Sequence, residues 1–116
     1  MKDNLGIELE PGDLVADIRT GYHWNNIGIV HGGITNGGRI RYISHGGYKG
    51  NSQEKCLIKI TPETFVNVHE RKLNELRGYR EQRDDFNDGW YSKQIKAVED
   101  GIVEIAKMRK QYGKEF

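Results

Sequence analysis

Glycine sets the first limit on what this chain can become. Fifteen of its 116 residues are glycine, and they crowd the stretch from Gly21 to Gly50. A glycine inside a helix costs about 1 kcal/mol relative to alanine, so this stretch reads as short strands joined by tight turns. Beyond Glu70 glycine thins out and apolar residues recur at spacings of three and four. The chain therefore divides into a strand-rich part, residues 1–70, and a helical C-terminal arm, residues 71–116.

Pro11-Gly12 marks a turn, and Asp13–Ile18 is expected as the first strand. Asn26–His31 follows, with Ile27, Ile29 and His31 on one face. Gly28 within it points to a bend or a close backbone approach. In Arg39–Ser44, Ile40, Tyr42 and Ser44 alternate with Arg39, Arg41 and Ile43, so one face is largely basic. Glu54–Thr61 is expected as a fourth strand, stopped by Pro62, and Phe65–Val68 as a short fifth. The links 32–38, with its Asn36-Gly37 turn, and 45–52 suit hairpins.

In the arm, Leu73, Leu76 and Tyr79 form one helical stripe, Asp84–Gly89 interrupts it, and a second helix is expected from about Trp90 to Tyr112. Its apolar stripe is Ile95, Val98, Ile102, Ile105 and Met108, with Gly101 tolerated at a helix-propensity cost. The stripe must be covered by the first helix, by the strand domain, or by a second copy, which makes it a candidate homo-oligomer interface. The cluster Arg71, Lys72, Arg77, Arg80 and Arg83 among Glu and Asp reads as a solvated face, with Arg77–Glu81 spaced for an ion pair.

Net charge is +1, but its distribution is uneven. Between residues 18 and 60, Arg19, Arg39, Arg41, Lys49, Lys55 and Lys59 face a single acidic residue, Glu54. The glycine-rich third is thus the basic part. The lone Cys56 rules out an internal disulfide framework and is expected in the core. The opening Met1–Gly6 lacks the apolar run of a secretion signal, and no stretch is apolar enough for a membrane span, so a cytoplasmic protein is expected.

Five short strands, with Pro11-Gly12-Asp13-Leu14-Val15 followed by Gly28-Ile29-Val30, resemble a Src-homology-3-like small barrel of the KOW type. The resemblance covers roughly residues 10–68 and implies an α+β fold: a five-stranded barrel followed by one or two C-terminal helices. It also implies association with RNA, ribosomes or RNA polymerase. The style of the chain is similar to small bacteriophage early proteins.

The residues themselves point the same way. Phosphates require cations, and unpaired bases require flat rings. Arg19, Tyr22, Trp24, Arg39, Arg41, Tyr42, Tyr48 and Lys49 supply both, with His23, Lys55 and Lys59 nearby. A non-enzymatic nucleic-acid-binding module is the first expectation, and a phage-type protein that modulates a host protein is the alternative. The Gly-rich loops lack a GxxxxGK[ST] pattern. His23, His31, His45 and His69 show no metal-ligand spacing, although His31 and His45, each followed by Gly-Gly, are candidates to meet at one end of the barrel. No catalytic residue, metal or cofactor is expected.

Overall fold

The computed structural model describes residues 1–18, 27–47, 49–83 and 89–116. The element order is β1 (Leu14–Asp17), β2 (Ile27–Ile34), β3 (Ile40–Ser44), β4 (Lys49–Ser52), a 3-10 turn at Glu54–Cys56, β5 (Leu57–Lys59), α1 (Pro62–Arg83) and α2 (Trp90–Gln111). The strands form one antiparallel sheet in the order β4-β3-β2-β1-β5. Strands β4 and β5 end that order, and no pairing joins them among the described residues, so the sheet is not closed into a barrel.

Two of the expected strands are corrected. Phe65–Val68 lies inside α1, which starts at Pro62 rather than near Arg71. Proline is pre-set for the first helical position, where its missing N–H goes unused. Thr61 caps the helix: its Oγ1 accepts from the Thr64 N–H at 3.1 Å. These terms outweigh the strand preference of Phe65, Val66 and Val68. The segment expected as a fourth strand from Glu54 begins as a 3-10 turn and extends only at Leu57–Lys59. Strand β4 forms instead from Lys-Gly-Asn-Ser, within the stretch read as a loop. Its register against β3 pairs Ile40 with Ser52 and Ile43 with Lys49.

Both faces of the sheet are apolar. Val15, Val30, Ile40, Tyr42 and Leu57 gather on one face, with Leu9 of the N-terminal segment and Met1 packed against them. Leu14, Ile27 and Ile29 gather on the other, under Phe65 of α1 and Ile105 of α2. Gly28 is where a side chain has no room: a Cβ there would stand 2.3 Å from the Ile43 carbonyl oxygen. The expected close approach is therefore real. Beyond Val30 the β2–β3 register shifts, and Gly32 and Gly33 take φ of +92° and +74°, which L side chains rarely adopt.

The outer edge of β5 is occupied by the N-terminal segment. The Asn4 N–H donates to the Leu57 carbonyl at 2.7 Å, and Asp3 Oδ2 accepts from the Lys59 N–H at 2.9 Å. Asp3 Oδ1 also accepts from Leu5 and Ile7. Burial pushes the Asp3 carboxyl up, but these backbone donors and Lys59 outweigh it and hold it below its ordinary value.

The α2 stripe is covered by the chain itself. Ile95 and Val98 are buried with Leu73, Leu76 and Tyr91, while Ile105 lies on the sheet with Ile102 and Met108 packed beside it. Of the three covers considered for Ile95, Val98, Ile102, Ile105 and Met108, the first helix and the sheet are the ones found packed on the stripe. Tyr79 stacks on Tyr91 at 5.9 Å. Arg77 reaches across to Glu99 of α2 at 3.8 Å. Lys72 departs from the expected solvated face and is buried.

Candidate functional site

Alternation on β3 places Arg39 and Arg41 on the sheet face opposite Tyr42, and the β3–β4 register sets Asn51 across from Arg41 and Lys49 across from Ile43. Arg39, Arg41, Lys49 and Asn51 therefore share one face, the continuation of the Ile29–Ile43 face beyond the helices. Arg41 and Lys49 are exposed and Arg39 is half-buried. Arg39 Nε donates to Asn51 Oδ1 at 2.5 Å, and Arg41 Nη1 donates to the Gly32 carbonyl at 3.3 Å. Both guanidiniums are steadied by neutral oxygens, so their charge stays available to an anion.

Tyr42 is corrected. It is only 7% exposed, belongs to the apolar cluster on the opposite face, and its hydroxyl donates to Asp17 Oδ2 at 3.1 Å across β2. A ring so placed cannot stack on a base. Arg19, Tyr22, His23, Trp24 and Tyr48 lie outside the described residues. Lys55 is exposed, whereas Lys59 bonds Asp13 at 3.4 Å, away from the Arg39–Arg41 face. Cys56, expected in the core, is half-buried.

The histidines do not meet as expected. His31 is exposed, and its Nδ1 hydrogen-bonds the Tyr112 hydroxyl at 2.8 Å. His45 is fully buried, edge-on to Phe65, and its Nε2 shares a hydrogen bond with Nδ1 of His69 on α1. The first His-Gly-Gly lies inside β2, where the register against β3 shifts, whereas the second follows the end of β3, so their histidines part. Burial, then His69 and Lys72, push His45 down to about 3. Burial likewise lowers His69 and takes Lys72 down to about 8. This buried trio has no local sequence signature, because it joins residues 24 positions apart. No group of three His, Cys, Asp or Glu side chains that would hold a metal ion occurs among the described residues. Nor is any helix among them long and apolar enough to cross a membrane.

The described residues thus define an α+β protein, a five-stranded antiparallel sheet with a two-helix hairpin laid on one face. Comparison with protein-family models, with curated proteins and with solved structures found no match.

Proposed function

We propose that this protein is a non-enzymatic nucleic-acid-binding module that contacts phosphates through Arg39, Arg41 and Lys49. The observation that carries the proposal is the placement of these three cations together on a sheet face beyond the helices. Phosphate contacts position a nucleic acid without reading its sequence, so binding is weakly sequence-specific and falls with salt. The Src-homology-3-like, KOW-type reading belongs to this proposal. Its support is the strand order, in which the last strand, β5, returns to pair with the first, β1.

Fluorescence anisotropy with single- and double-stranded DNA and RNA at two salt concentrations tests it. The double substitution Arg39→Ala, Arg41→Ala is expected to weaken binding about tenfold or more and to flatten the salt dependence by about two contacts. Lack of binding to all four nucleic acids at low salt, or equal binding by the double variant, would remove this reading.

A further inference from the structure

A second cluster of cations lies in another part of the molecule, where the end of β5, the start of α1 and the end of α2 converge. There a cavity of about 440 Å³ is lined by Lys59, Arg109 and Lys114, with Asp13 as its one carboxylate. The volume falls in the range of small-molecule sites. Leu14, Ile60 and Pro62 give the lining an apolar part, and Thr61, the cap of α1, stands beside them.

The charges do not balance. Asp13 is buried and is shared by two lysines, with Lys59 Nζ at 3.4 Å and Lys114 Nζ at 3.3 Å. Arg109 is 7% exposed. Its Nη1 and Nη2 donate to the carbonyls of Gly12 and Glu115, each at 2.8 Å, and its buried Nε has no hydrogen-bond partner. Burial lowers its pKa and only Asp13 opposes this, so the guanidinium sits in a place short of negative charge. The positive end of the α1 dipole adds to the same field. Glu10 reaches Lys114 at 3.4 Å from the solvent side but is itself 70% exposed, a contact that a bound anion displaces at little cost. A buried arginine and two converging lysines around one carboxylate leave room for a further negative group.

We propose that this cavity binds a small organic anion: one phosphate or carboxylate group on a compact apolar body. The anionic group sits between Lys59 and Lys114 with Arg109 behind them, and the body lies against Leu14 and Ile60. The site is separate from the Arg39–Arg41 face and does not depend on its reading.

Isothermal titration of the full chain with phenyl phosphate, benzoate and inorganic phosphate tests the assignment, the first two distinguishing a phosphate from a carboxylate. At least one of the organic anions is expected to bind saturably, about tenfold tighter than inorganic phosphate. Lys59→Gln and Lys114→Gln are each expected to weaken that binding about fivefold or more, whereas Arg39→Ala, Arg41→Ala leaves it unchanged. Both lysine side chains are partly exposed, at 41% and 26%, so the variants retain the fold, and thermal melts check this. Absence of saturable binding by both organic anions overturns the proposal. So does equal binding by the two lysine variants and the parent protein, or equal affinity for inorganic phosphate.

Discussion

Replacing Gly101 with alanine is expected to lower the melting temperature by about 8 °C, while the same change at Gly78 raises it by a few degrees. Both glycines lie inside helices, Gly101 in α2 and Gly78 in α1. Helix propensity alone favours alanine at either position by about 1 kcal/mol. Packing decides between them. A Cβ at Gly78 would find nothing within 4 Å. A Cβ at Gly101 would stand 1.8 Å from the carbonyl oxygen of His45 and 2.9 Å from its carbon. That neighbour is backbone at the end of β3, held by the His45 N–H donating to Ile27 at 2.8 Å, so it cannot swing aside. Relief requires α2 to lift off the β3–β4 turn. Overpacking of this kind costs about 1–3 kcal/mol, more where backbone must move, which leaves a net loss of about 2 kcal/mol after the propensity gain. Paired thermal melts of the two variants read this directly. A Gly101→Ala protein that melts at or above the parent would show that α2 does not ride on His45.

Gly101 also shows where sequence reading stops. Its helix was legible, because Ile95, Val98, Ile102 and Ile105 repeat with the helical period. The glycine within it reads as a cost, yet its role is a contact with a turn distant in sequence, which periodicity cannot reveal. Strands β1, β2 and β3 were legible for a similar local reason: turn glycines bound them, and alternation sets their faces. Strand β4 was not, because Lys-Gly-Asn-Ser carries no strand preference and extends only by pairing with β3. The start of α1 was hidden behind β-branched residues, although Thr61-Pro62 offered a cap and a first helical position. At the site, alternation already separated Tyr42 from Arg39 and Arg41, so grouping it with the basic face set composition above pattern. Arg109 left a trace too, since it follows Ile105 by four residues and continues an apolar stripe with a charge.

Acid is expected to weaken the fold well before its carboxylates titrate. His45 is fully buried and is held to about 3 against an ordinary value of 6.5. The unfolded chain therefore takes up a proton there, over the interval between 6.5 and 3, that the folded chain refuses. The stability tied to neutral His45 is complete above pH 6.5 and is lost as pH falls, at about 1.4 kcal/mol per pH unit. Between pH 6.5 and 5 this amounts to about 2 kcal/mol, while Asp and Glu remain mostly ionised. His69, also lowered by burial, adds in the same direction. The charged surroundings do not reverse the sign: Glu70 and Glu99 pull His69 upward, but burial, together with Arg77, outweighs them. Lys72 opens a second window. It falls from 10.5 to about 8 on burial, so stability rises again as pH climbs through that interval, where the unfolded lysine still holds its proton and the folded one does not. Urea denaturation midpoints across these ranges measure both slopes. In a His45→Gln variant the loss between pH 6.5 and 5 is expected to shrink to about half, because the buried imidazole that must stay neutral is gone. The comparison uses the slope and not the absolute stability, so any general weakening by the substitution does not blur it. A variant that loses stability with acid as steeply as the parent would place the sensitive group elsewhere than at the junction of β3, α1 and α2.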